Sequence, residues 1–208
     1  MSADDARRRF DDATRTHLLA PLPGGVEVVP CSADDWRRLT DPWWALEPRP
    51  RIDLAPLHSD AERAQIADLD AVLGAPLAHH VVLRAAGEPI GAYCGCQQDS
   101  GRYYMQNTIL LPAWRGRGVY RALLANLEAA LRASGFVEMS SRHRADNNAV
   151  LIPKLRAGWV IAAFEIGPKY GLLVHLRRYL HDGLGLAFGF RIDGRHADAL
   201  RAAGVKLP

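Results

Sequence analysis

Residues 109 to 124 run I-L-L-P-A-W-R-G-R-G-V-Y-R-A-L-L, an apolar strand, a glycine-containing turn and an amphipathic helix in immediate succession. Val119, Leu123, Leu127 and Leu131 recur every four residues and give the helix one apolar stripe, while Glu128 and Arg132 stand on its outer side. Gly135 ends it, as a left-handed C-terminal residue does. The first turn of such a helix leaves backbone N–H groups without intrahelical partners, and the aligned peptide dipoles add partial positive charge there. Gly116 and Gly118 let the backbone approach a ligand with no Cβ between, and Arg115, Arg117 and Arg121 add full charges. No proline or acidic residue interrupts Arg115 to Arg121. The segment reads as a cradle for phosphate or pyrophosphate. The plainer reading is a structural turn that carries solvated arginines. A Walker loop is excluded by the lack of G-K-[ST], and the six-residue dinucleotide fingerprint is also missing.

Upstream lies a meander. His79 to Arg84, Ile90 to Gln97 and Tyr103 to Leu111 read as strands, joined by turns at Ala86-Gly87-Glu88 and Asp99-Ser100-Gly101. An antiparallel approach of this kind disfavours a Rossmann unit. Downstream come a strand at Phe136 to Ser140, a helix at about Asn147 to Ala157, and a hairpin of Trp159 to Ile166 with Leu172 to Tyr179 around Gly167-Pro168. Nearer the N-terminus, residues 3 to 19 and 60 to 73 have helical spacing, Val26 to Val29 a strand pattern, and Ser32 with Asp35 an N-cap. Residues 41 to 58 hold four prolines and two tryptophans, which forbids a regular helix and favours an ordered loop. After His181 the expectation is a glycine-containing extension with a short helix near His196 to Ala203.

The cradle segment resembles motif A of the GNAT superfamily of N-acetyltransferases, in which Gln or Arg, two variable residues, Gly, one variable residue and Gly or Ala follow in order. Arg115, Gly118 and Tyr120 take the fixed places, with tyrosine where the family has a small residue. Asn147 followed by Gly158-Trp159 is similar to the family's downstream asparagine and its closing glycine–phenylalanine, here with tryptophan. The order of elements agrees over roughly residues 25 to 180. The resemblance implies an α+β fold with a mixed, mostly antiparallel central sheet flanked by helices. It divides the chain into a helical extension (1–24), the acetyltransferase domain (25–180) and a C-terminal extension packing on that domain (181–208).

It further implies that acetyl-coenzyme A is the co-substrate and a primary amine the acceptor, with direct attack in a ternary complex. The backbone of Gly116, Arg117, Gly118, Val119, Tyr120 and Arg121, beside Arg115, would hold the pyrophosphate. Thr108, Ile109 and Leu110 would pair with the pantetheine arm, one of their N–H groups polarising the acetyl carbonyl, and Asn147 would reach the cofactor from the far side. The family's acid–base pair does not carry over. Counting seven residues from Asn147 reaches Lys154 where a tyrosine acid is usual, and the strand position of the usual glutamate is Gln106. An amine that arrives neutral needs orientation more than a strong base. A desolvated Lys154 could donate a proton; the plainer expectation is a solvated, dispensable lysine on a helix face. The missing pair also keeps open an acyl-coenzyme A-binding sensor without activity.

His143, in S-S-R-H-R-A-D-N, reads either as a base acting through water or as a surface histidine in a basic loop. Arg142, Arg144, Lys154 and Arg156 read as a solvated basic face. Trp43 and Trp44 read equally as an acceptor wall, core packing or a homodimer contact. A net charge of +3 and a basic run without interleaved aromatics leave no case for nucleic acid. Three cysteines with no second ligand cluster leave none for a metal and point to reduced thiols in a cytoplasmic protein. Neither a secretory signal nor an apolar run of about 20 residues is expected, hence no membrane association.

Overall fold

The strands are β1 (Glu27–Pro30), β2 (Ala78–Ala85), β3 (Glu88–Gln97), β4 (Arg102–Leu110), β5 (Glu138–Arg144), β6 (Val160–Gly167) and β7 (Gly171–Tyr179). They form one seven-stranded sheet in the order β1-β2-β3-β4-β5-β7-β6, in a computed structural model that describes residues 2–46, 55–57, 59–72 and 74–207. All neighbours pair antiparallel except β4 and β5, which run parallel. The helices are α1 (Ala3–Ala13), α2 (Ala33–Thr40), α3 (Asp60–Val72), α4 (Val119–Ser134), α5 (Asn148–Arg156), α6 (Asp182–Asp193) and α7 (Ala197–Ala202). The expected α+β architecture is present. Residues 47–54, 58 and 73, which belong to the expected proline-rich loop and to the end of the expected helix at 60 to 73, lie outside the described residues.

α4 joins the two parallel strands, as parallel neighbours require a crossover. Its stripe of Val119, Leu123, Leu127 and Leu131 is fully buried and forms the main core with Val81, Leu83, Tyr93, Tyr103, Met105 and Met139 from one face of the sheet. α1 and the π-helical turn Thr14–Leu18 that continues it lie against α4, with Phe10 and Leu18 in the same core. A second, smaller cluster of Trp36, Ala92, Cys94 and Ile109, backed by Cys31, Trp43 and Trp44, covers the opposite face.

Three local differences from the sequence reading matter. β5 continues to Arg144 because its pairing with β7 runs through Arg144 and Leu173, so His143 stands on a strand rather than in a loop. α6 is a full helix, its pattern masked in the sequence by Gly183, Gly185 and Gly189. Residues 41–46 are a 3-10 helix, which tolerates Pro42 where an α-helix interior would not.

Inside the main core Tyr93 donates to the Tyr103 hydroxyl at 3.2 Å, the Tyr103 hydroxyl lies 2.7 Å from His79 Nδ1, and His79 Nε2 lies 2.8 Å from the Thr14 hydroxyl. Thr14 in turn donates to the Phe10 carbonyl at 2.7 Å, so it accepts from Nε2–H and Nδ1 accepts from Tyr103. The chain of donors is complete only with neutral His79, whose pKa burial lowers from 6.5 to about 3, with His80 adding to the shift. The unfolded chain binds a proton near 6.5 while the fold resists it to about 3. The contribution to stability is therefore intact above the upper value and is lost as pH falls through that window, by up to about 1.4 kcal/mol per pH unit. Thermal unfolding between about pH 7 and about pH 4 should show a steeper loss for wild type than for His79→Gln. Parallel curves would contradict this role of His79.

Candidate active site

Pairing between β4 and β5 is confined to Arg102 with Glu138, Tyr103 with Met139, and Tyr104 with Ser140. Past Tyr104 and Ser140 both strands continue, to Leu110 and Arg144, without a shared register, so the sheet opens into a wedge-shaped gap. The register of β3 with β4 shifts at the same level, Cys94 facing Asn107 and Gly95 facing Met105, so Gln106 is a bulged residue. A bulge bends and twists its strand, which carries β4 away from β5. Gly95 lies opposite it because a Cβ there would come within 2.7 Å of the Tyr104 carbonyl oxygen.

Above the bulge, the Leu111 N–H donates to the Ile90 carbonyl at 2.9 Å. Alternation along an antiparallel ladder then turns the backbone of Ile109 toward Ala92 and that of Thr108 and Leu110 away from β3, along the gap. Of the three strand residues expected to meet the pantetheine arm, Thr108 and Leu110 thus offer their backbone groups to the gap. Ile109 offers its side chain to the smaller apolar cluster instead. The Leu110 carbonyl already accepts from Arg115 Nε at 2.9 Å.

At the top of β4 the 3-10 turn Pro112–Trp114 leads into the cradle. Gly116 and Gly118 have φ of 75° and 81°, the left-handed region glycine enters without strain, and a Cβ at either would meet nothing within 4 Å. The space in front of the backbone at these two residues is open. Gly118 is the N-cap of α4 and supplies no side-chain cap, and the first helical hydrogen bond is from Ala122 N–H to the Gly118 carbonyl. The amides of Val119, Tyr120 and Arg121 precede that bond and point out of the helix end. Arg115, Arg117 and Arg121 are exposed, Arg117 lying 5.0 Å above the Trp114 ring. Tyr120, in the place of a small residue, is half-buried, and its burial raises its pKa. On the far wall Asn147 is the N-cap of α5, half-buried, with a side chain that does not cap its own helix.

Lys154 departs from expectation. It is fully buried rather than solvated, because α5 turns Leu151 and Lys154 inward and leaves Ile152 and Leu155 exposed. Its Nζ donates to Ser141 Oγ at 2.7 Å and to Met105 Sδ at 3.4 Å, and lies 3.9 Å from the centre of the Trp159 ring. Met105 and Ser141 are the first residues past the last pair of β4 and β5, so the amine closes the apex of the gap. Burial pushes its pKa well below 10.5, with Glu128 opposing. His143 Nε2 lies 2.9 Å from the same Ser141 Oγ. Its pKa is lowered from 6.5 to about 3 by burial and by Lys154, so it is uncharged at neutral pH and a weak base. The expected basic face thus loses Lys154 to the interior, and Arg142 and Arg144 turn to Glu165 and Asp146.

The smaller cluster walls the other side of the sheet. Trp43 and Trp44, in the 3-10 turn, are both half-buried against it, with Trp44 6.4 Å from Trp36. Beyond the gap this face carries Tyr104, Arg142, His175 and Glu165, which sequence reasoning did not single out as a group. Cross-strand register alone brings them together, and a linear pattern has no signal for it.

Residues 35–153 match the family described as acetyltransferase (GNAT) family. No curated protein matches the chain by sequence. Among solved structures, Ard1 from Thermoplasma volcanium aligns with a TM-score of 0.53 and 16% identity over 74% of this chain and 97% of its own. The ribosomal-protein-S18-alanine N-acetyltransferase from Escherichia coli aligns with 0.53 and 15% identity over 75% and 94%. YncA, a putative acetyltransferase from Salmonella typhimurium with its cofactor acetyl-CoA, aligns with 0.53 and 19% identity over 74% and 94%.

Proposed function

The chain belongs to the GNAT acetyltransferase family, and from this premise we propose that it moves an acetyl group from acetyl-coenzyme A to a primary amine by direct attack in a ternary complex. The observation that carries the reading is the fully buried Lys154, its pKa pushed well below 10.5 by burial, at the apex of a gap whose upper end is an uncapped helix N-terminus. The amides of Gly116 to Arg121 receive the pyrophosphate, with the arginines around them. The pantetheine arm lies in the gap along the unpaired edge of β4, facing Thr108 and Leu110, with Asn147 on the opposite wall. An N–H of that edge polarises the acetyl carbonyl.

The amine nitrogen bonds to the carbonyl carbon, the carbon–sulfur bond breaks, and one proton must travel from nitrogen to sulfur. Lys154, whose ammonium form burial disfavours, accepts that proton and returns one to the departing thiolate, ending as it began. The Trp159 ring steadies the ammonium while it exists, and Ser141, backed by uncharged His143, holds Nζ in place. His143 is on this reading a positioning residue.

Initial rates of coenzyme A release, with acetyl-coenzyme A and a primary alkyl amine varied together, should give intersecting lines, and the protein alone should not become acetylated. Parallel lines with an acetylated protein would replace direct attack by a two-step transfer. Binding of acetyl-coenzyme A without any release would leave a sensor.

A further inference from the structure

The site so far has no group that makes an alkyl ammonium neutral before attack: Gln106 cannot serve, and His143 is a weak base on the inner face of β5. The outer face supplies one. On β5, Met139 and Ser141 face the main core, so Arg142 points to the opposite side. His175 of β7 is its register partner, and Glu165 of β6 stands two residues from Ala163, the partner of His175. His175 Nε2 lies 2.7 Å from Glu165 Oε2, and Arg142 Nη1 donates to the same oxygen at 3.3 Å. Arg142 also donates through Nε to the Tyr104 hydroxyl at 3.3 Å, which ties the group to β4 on the other bank of the gap. Tyr104 and Ser140 are the last pair before the gap, so the network crosses the sheet at its apex, on the face opposite Lys154.

We infer that Glu165 and His175 form the base pair that deprotonates the acceptor, which binds on this outer face between the tryptophan cluster and the β6–β7 hairpin. The inference rests on the acetyl-transfer reading. Hydrogen bonds from His175 and Arg142 lower the pKa of Glu165, so it is a carboxylate and Nε2–H donates to it. Nδ1 then carries the lone pair. The acceptor N–H bond breaks, its electron pair stays on nitrogen, and the proton passes to Nδ1 and on to solvent. Both side chains remain accessible, at 30% for His175 and 38% for Glu165, as a base that exchanges protons with water requires. The arginines beside the pair are each matched by a carboxylate: Arg142 by Glu165 itself, Arg144 by Asp146 and Arg177 by Glu138. Among the described residues the other imidazole of this face, His80, packs at the edge of Trp36, 6.3 Å between ring centres, and burial holds its pKa down.

The test compares two nucleophiles: ethylamine, an ammonium near neutral pH, and hydroxylamine, which is uncharged there. His175→Gln should lower kcat/KM for ethylamine by about a hundredfold while the hydroxylamine rate falls far less, and Glu165→Gln should act in the same direction with a smaller loss. Affinity for acetyl-coenzyme A and the thermal midpoint should match wild type in both variants. Equal losses with the two nucleophiles, or no loss with either, would overturn the base assignment and leave acetyl transfer standing. Wild-type protein that releases no coenzyme A with either nucleophile would overturn the transfer reading and the base with it.

Discussion

Lys154→Met should lower kcat by about a hundredfold to a thousandfold while leaving the protein folded and acetyl-coenzyme A bound. The two effects part because the lysine serves chemistry at a cost in stability. A fully buried amine gives up its hydration, and here it regains one hydroxyl, one thioether and an aromatic face. Methionine has a similar length and no polar amine to bury, so the thermal midpoint should hold or rise. The proton that must reach sulfur loses its carrier, and the thiolate leaves unprotonated. Ser141→Ala keeps the amine and removes only its hydrogen-bond partner, so it should fall between the two. A Lys154→Met enzyme within about tenfold of wild type would make the residue dispensable to the chemistry, as a solvated lysine would have been.

What the sequence disclosed and withheld follows from how local each feature is. The strand, turn and helix around Gly116 and Gly118 were legible because glycine turns, caps and the period of Val119, Leu123, Leu127 and Leu131 are all set within a few residues. Ser32 as an N-cap is equally local, and its hydroxyl accepts from Asp35 N–H at 3.0 Å. Lys154 was misread for a physical reason. α5 points a lysine inward and Ile152 and Leu155 outward, so the usual rule of apolar in and charged out gives the wrong face. Its inward face is settled by Met105, Ser141 and Trp159, which come from three other places in the chain. Arg142, His175 and Glu165 belong to three strands whose order, β5-β7-β6, is not their order in the sequence. No spacing rule links them before the sheet is known. The same holds for the gap itself, which depends on where the pairing of β4 and β5 stops.

Gly118→Asp should weaken acetyl-coenzyme A by at least about a hundredfold, roughly 2.8 kcal/mol, with the fold retained. Aspartate is among the few residues that enter the left-handed region Gly118 occupies at φ 81°, at a modest cost in strain, and its Cβ would meet nothing within 4 Å, so α4 keeps its start. Its carboxylate would then accept from the very amides that receive the pyrophosphate, and would set a negative charge against it. The most direct test of an acetyl-coenzyme A site at this helix end is therefore calorimetric titration of the cofactor into wild type and Gly118→Asp, with thermal unfolding of both. Saturable one-site binding to wild type, lost in a variant that still unfolds cooperatively, is the expected result. Equal affinity in the two proteins, or no binding to wild type, would contradict it.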